Sequence, residues 1–159
     1  MKKLFDEIPC LEGERIILKK ITENDREALQ EMGYRKNIYR YEPSYLLEQQ
    51  YTDMDQLLHD LYGEHFEKKQ NLFLGICLME KPSDLCGLAE FYDYRDHLHM
   101  VSIGVRLREQ YWRSGIGTEA AKLMADYLFE ETDIEIITAS TMSDNKAAAH
   151  SLEKNGFNL

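Results

Sequence analysis

The run from Arg108 to Gly117, Arg-Glu-Gln-Tyr-Trp-Arg-Ser-Gly-Ile-Gly, carries the densest chemical signal in the chain. It follows a strand-like stretch ending at Leu107. It opens a run with helical spacing: Ile116, Ala120, Leu123, Met124, Tyr127 and Leu128. Where a strand passes through a glycine-bearing turn straight into a helix, the first helical N–H groups have no intrahelical acceptor. The helix dipole adds partial positive charge at the same place. Gly115 and Gly117 let the backbone approach an anion closely, and Arg113 brings a full charge to the turn. The chemistry this suits is the binding of a phosphate or diphosphate. A tight strand-to-helix turn without a ligand satisfies the same pattern.

Two phosphate loops fit poorly. The Walker pattern Gly-x-x-x-x-Gly-Lys-Ser/Thr is absent. Gly115, Gly117 and Ala120 meet only the looser form of the dinucleotide pattern. The strand before them belongs to an antiparallel meander. The acidic residue expected about 20 residues on, at the end of the next strand, is replaced by Glu135 at that strand's start. For proton transfer the candidate is Glu90, on a strand over 85–94 that is read with Cys86, Leu88, Tyr92 and Tyr94 on the same face. It either lines an acceptor site or faces solvent. His97 and His99 flank a turn and read as solvated groups, with a base role second. Tyr39, Tyr41 and Tyr45 form an aromatic wall or pack beneath a loop. Cys10, Cys77 and Cys86 have no metal-ligand spacing, so no metal site is expected. Cys77 and Cys86 read as reduced core neighbours on adjacent strands.

The elements that must position these groups follow from periodicity. Residues 14–21 form a strand. Thr22 with Asp25 resembles a capping box opening a helix through Ala28, Leu29 and Met32, which Gly33 stops. A tyrosine-rich loop follows. Thr52 and Asp55 repeat the cap before an amphipathic helix carrying Met54, Leu57, Leu58, Leu61, Tyr62, His65 and Phe66. Strands over 72–79, 85–94 and 98–107 make the meander, and residues 134–141 form a fifth strand. A last helix over 146–154 is capped by Ser143-Asp144-Asn145 and ends at a left-handed Gly156. Antiparallel strands first and a β-α-β unit last predict one α+β domain over 1–159 with a mixed sheet. With 19 basic and 29 acidic residues the net charge is −10, which disfavours nucleic acid. It favours cationic partners or serves solubility alone. No apolar run reaches a membrane span, and the N-terminus is too charged for a signal peptide. A cytoplasmic protein is expected.

Residues 102–120, Ser-Ile-Gly-Val-Arg-Leu-Arg-Glu-Gln-Tyr-Trp-Arg-Ser-Gly-Ile-Gly-Thr-Glu-Ala, resemble motif A of the GNAT acyltransferases. The likeness is greatest to the branch that acetylates ribosomal-protein N-termini and polyamines. Tyr111, Trp112, Gly115, Thr118, Glu119 and Ala120 match that motif in place, and Asn145 with Glu153-Lys154-Asn155-Gly156-Phe157 is similar to motif B. The resemblance implies the GNAT acyl-CoA N-acyltransferase fold, with acetyl-CoA in a cleft where the fourth and fifth strands splay apart past Leu107. It implies pantetheine pairing near Val105 and Leu107, and diphosphate contacts along Trp112, Arg113, Ser114, Gly115, Ile116, Gly117 and Thr118. Asn145 would bond the pantetheine arm, and the Val105 N–H would polarise the thioester carbonyl. The implied activity is acetyl transfer to a primary amine, either a small molecule or a peptide N-terminus, by direct attack.

The sequence departs from the motif in two ways. Ala148 and Leu152 stand where the family places a serine or tyrosine able to protonate the thiolate. The two strands that normally follow Gly-Phe are missing. Either the chain is a fragment, or another chain supplies the strand, as in a homodimer. These departures keep a non-catalytic acyl-CoA-binding or sensor domain as the rival reading.

Overall fold

The computed structural model describes residues 1–34, 51–139 and Gly156. Leu72, Leu74 and Ile76 of strand β3 (Asn71–Leu78) enter one core, while Phe73 and Cys77 enter another. A strand with a period of two and apolar residues on both faces must be covered on both sides. The sheet is six-stranded, in the order β1 (Leu11–Glu12), β2 (Ile16–Lys19), β3, β4 (Leu85–Arg95), β5 (Met100–Leu107) and β6 (Ile136–Thr138). Every pairing is antiparallel except β5 with β6, which a helix joins as a parallel crossover. That helix, α3 (Ile116–Glu131), lays Ala120, Met124 and Leu128 on Leu74, Phe91 and Ile103. On the other face α1 (Arg26–Tyr34) and α2 (Met54–Asp60) bring Leu29, Met32 and Leu57 onto Phe73 and Leu88.

Local details adjust the expected boundaries. Asp53, not Thr52, caps α2, because its carboxylate accepts from the N–H groups of Asp55 and Gln56. Helix α1 runs through Gly33 to Tyr34; a glycine inside a helix costs only about 1 kcal/mol, too little to stop it. Past α2 the chain widens into a π-helical stretch, Leu61–His65. This places the Tyr62 hydroxyl to accept from Ile21 N–H at 2.9 Å and donate to Phe73 O at 2.7 Å. Strand β6 begins at Ile136, since Ile134 is buried and its N–H meets Thr132 Oγ1. Gly156 is left-handed, with φ 86°. The tyrosines at 39, 41 and 45, the helix over 146–154 and the positions of Ala148 and Leu152 lie outside the described residues.

Strand β4 carries two irregularities that decide which side chains share a face. Ile76 pairs with Gly87 and Cys77 with Leu85, so Cys86 is an extra, unpaired residue: a bulge. Leu85 and Leu88 therefore face α1 and α2, while Cys86 joins the α3 core. Cys77 and Cys86 sit in different cores rather than as neighbours in one. Burial pushes their thiols up to about 12 and about 11, which leaves them unreactive. A second shift between Tyr92 and Arg95, where Asp93 takes φ 52°, turns Tyr94 to the α3 side against Phe5 at 5.4 Å. Of the four residues expected beside Glu90, Leu88 and Tyr92 stay in phase with it; Cys86 and Tyr94 cross over.

The first bulge also presses β4 onto β5. A Cβ on Gly87 would lie 2.1 Å from Arg106 O and 2.9 Å from Leu107 Cα, both backbone atoms. Gly87→Ala should cost about 3 kcal/mol, at the upper end of overpacking penalties, read as a lower urea midpoint. An unchanged midpoint would show that the two strands can separate there freely.

Candidate active site

Strand β5 delivers the chain to the glycine turn, and its register sets what is exposed. The Arg108 N–H donates to Cys86 O of β4 at 2.7 Å. Backbone groups alternate between neighbouring strands, so Val105 and Leu107 direct theirs to the opposite edge, toward β6. Strand β6 pairs with β5 only at Met100, Val101 and Ser102, reinforced by a hydrogen bond between the Ser102 and Thr138 hydroxyls. Beyond Ser102, no strand among the described residues covers that edge of β5. The Leu107 C=O is engaged: Trp112 Nε1 donates to it at 2.9 Å and folds the loop back onto the strand. The edge thus presents both backbone groups of Val105 and the N–H of Leu107.

The turn itself is a 3-10 stretch, Glu109–Tyr111, followed by two left-handed residues: Arg113 with φ 60° and Gly115 with φ 84°. Gly115 is the N-cap of α3, and a side chain there would be strained. The helical ladder starts only where Glu119 N–H donates to Gly115 O at 3.1 Å. The amides of Ile116, Gly117 and Thr118 precede it. Ile116 N–H reaches Ser114 Oγ at a long 3.4 Å, and that hydroxyl donates to Tyr111 O. Preceding N–H groups, a helix dipole and the exposed Arg113 therefore converge beside the open edge of β5. One turn into α3, Glu119 points back to Arg15 beside β2. Burial alone would raise its carboxyl. The N–H of Arg15, its guanidinium and the N–H of Ile16 outweigh burial and hold it below the ordinary value.

On the α1–α2 face, β4 and β5 bury two opposite charges together. Arg106 Nη1 donates to Glu90 Oε1 at 3.0 Å, with the side chains only 5% and 11% exposed. Asn71 Nδ2 donates to the other carboxylate oxygen, Oε2. His65 Nδ1 lies 3.4 Å from Asn71 Oδ1, and the Arg106 guanidinium lies 5.4 Å from the Phe73 ring centroid. A carboxylate can be buried only when its charge is met, and Arg106 meets it. Glu90 is therefore directed inward rather than to solvent. His97 and His99 sit at the opposite end of β5 from the turn, where His99 lies 3.3 Å from Asp133.

The structure brings Val105, Leu107, Trp112, Arg113, Ser114, Gly115, Ile116, Gly117 and Thr118 into one continuous region. Glu90 sits on the α1–α2 face of the strand beside β5; Asn145 lies outside the described residues. Sequence reasoning missed Arg106, Asn71 and Arg15. Arg106 had a faint signal, since it alternates with Gly104 along β5. Arg15 had none, because its partner Glu119 is 104 positions away.

The family model for the "Acetyltransferase (GNAT) domain" matches residues 15–158. The chain is 28% identical to the uncharacterized N-acetyltransferase YoaA of Bacillus subtilis over 151 residues, covering 94% of this chain and 82% of that protein. Among solved structures, the spermidine N-acetyltransferase of Vibrio cholerae with CoA and spermine superposes with a TM-score of 0.75 at 19% identity. That match covers 92% of this chain and 82% of that one. RimL, a ribosomal L7/L12 α-N-protein acetyltransferase in complex with coenzyme A, superposes with a TM-score of 0.77 at 16% identity, covering 95% and 85%. A family match across nearly the whole chain, on a sheet with this order and crossover, makes the protein a member of the GNAT acetyltransferases, an acyltransferase enzyme.

Proposed function

We propose that the protein transfers the acetyl group of acetyl-CoA to a primary amine. The observation that carries this reading is the adjacency of two backbone features: the α3 N-terminus, whose first N–H groups lie ahead of the helical ladder, and the edge of β5 past Ser102, which no strand among the described residues pairs. The first fits a diphosphate, because its cradle is amide N–H and its N-cap has no Cβ. The second fits an amide-bearing arm, which a strand edge binds by ordinary ladder hydrogen bonds. The relatives crystallised with CoA support the same cosubstrate.

In this reading the amides from 113 to 118 hold the diphosphate and Val105 holds the pantetheine. The Val105 N–H donates to the thioester oxygen as negative charge develops there. The amine attacks the thioester carbonyl, a C–N bond forms and the C–S bond breaks; of the two protons the starting ammonium gives up, one goes to the base and the other, through water, to the departing thiolate. Glu90 takes a proton from the amine, directly or through one water, while hydrogen bonds from Arg106 and Asn71 fix the orientation of its carboxylate. The acceptor is an amine on a polyamine or a protein N-terminus, the two kinds named among the relatives.

Thiol release should appear with one of spermidine, a lysine-bearing peptide or a Ser/Ala-starting peptide. CoA binding with no turnover on a broad amine panel would favour the sensor reading instead. Gly117 separates charge from shape: a Cβ there meets only Leu107 Cδ1 at 3.5 Å. Gly117→Ala should fold and bind CoA nearly as well. Gly117→Glu should stabilise the helix start yet weaken CoA binding by tenfold or more; equal affinity in calorimetry would remove the cradle. Glu90→Gln should lower kcat by about 10²-fold, within the range of a lost general base, with CoA affinity intact. The rate is read below the thermal transition, since Arg106 loses its counter-charge. An unchanged kcat excludes Glu90 as the base.

A further inference from the structure

Arg15 and Ile16, at the start of β2, make four hydrogen bonds to the glycine turn and the first turn of α3, one to Ser114 and three to Glu119, although about a hundred residues separate them. Arg15 Nη1 donates to Ser114 O at 2.8 Å, and Arg15 Nε donates to Glu119 Oε1 at 3.0 Å. The Arg15 and Ile16 N–H groups both donate to Glu119 Oε2, at 3.0 and 3.3 Å. Two glycines make room for this clasp. A Cβ on Gly13 would lie 2.5 Å from Glu119 Oε2, and a Cβ on Gly115 would lie 3.0 Å from Arg15 Nη2.

The contact with Ser114 O has a consequence for the neighbouring amide. A peptide unit is planar and trans, so its C=O and the next N–H point in opposite directions. Holding Ser114 O on the Arg15 side sets Gly115 N–H on the other. Without that contact the peptide beside a left-handed glycine has little to prevent its rotation. Glu119 in turn keeps the guanidinium plane in place, and a planar fork can engage the carboxylate and the carbonyl at once.

We propose that Arg15 and Glu119 are positioning residues for the coenzyme: together they hold the Ser114–Gly115 peptide so that the turn's N–H groups are aimed before the diphosphate arrives. The proposal rests on the reading of this turn as the diphosphate cradle. Arg15 contributes geometry more than charge, because Glu119 neutralises it.

The test compares wild type with Arg15→Met, Arg15→Lys and Glu119→Gln. CoA affinity is measured by calorimetry, and amide hydrogen exchange is followed by mass spectrometry without ligand. Arg15→Met should weaken CoA by tenfold or more. Exchange should rise in a peptide covering 111–118 while β3 and β4 keep wild-type protection. Arg15→Lys should behave like Arg15→Met, since an ammonium cannot bridge both partners. Glu119→Gln, nearly isosteric, serves should Arg15→Met not fold, and should show the same local rise. Unchanged CoA affinity, or full affinity in Arg15→Lys, overturns the proposal. So does a loss of affinity accompanied by faster exchange throughout β3 and β4. A wild-type protein that binds no CoA would remove the cradle itself, an outcome distinct from all of these.

Discussion

The N–H groups at the start of α3 cannot be satisfied by the helix's own ladder. The ladder begins at Glu119, after a left-handed Gly115 has turned the chain out of β5. A few residues upstream, the β6-facing edge of β5 runs past Ser102, the last residue paired there among the described residues. Both features are backbone groups outside the helical and sheet ladders of the described residues. They lie at adjacent ends of one strand–turn–helix unit, so one long ligand with an anionic middle and an amide-bearing arm can satisfy both. The chemistry of the site is therefore largely a consequence of peptide geometry, with side chains holding that geometry rather than making the contacts.

Holding it is costly in packing terms. The sheet is covered on both faces, and β4 must serve two cores and press against β5. Its bulge at Cys86 changes which face each residue meets, and Gly87 supplies the close approach to the Arg106 carbonyl. The same strand carries Glu90 into the α1–α2 side, where Arg106 and Asn71 meet its two oxygens. A buried ion pair adds little net stability compared with apolar packing, because desolvation offsets the attraction. What the pair does is fix the direction of the Glu90 carboxylate on this face of the sheet.

The clasp from Arg15 to Glu119 links the two ends of the described fold. Through it, the short β1–β2 region bears on the turn after β5, and α3 is held to the sheet by polar contacts as well as by Met124 and Leu128. An exposed ion pair by itself contributes little. Glu119 differs because its carboxylate also accepts two backbone N–H groups.

Hydrophobic period, glycine placement and the motif residues from Tyr111 to Ala120 determined the central strands and α3, the mixed sheet and the family, but not the two-residue strand β1. Those are local signals: a period of two or 3.6, a glycine where φ is positive, a helix start after a strand. What only the tertiary structure decided is non-local. Strand parity depends on bulges, and an unpaired residue such as Cys86 leaves no mark on composition, so a strict period of two puts Cys86 and Tyr94 on the wrong face. The Trp112 indole occupies the Leu107 carbonyl, a contact that no local pattern encodes. Arg106 as the partner of Glu90, and Arg15 as the partner of Glu119, depend on which strands become neighbours. That choice is made by burial of the whole sheet, and no spacing within a single segment encodes it.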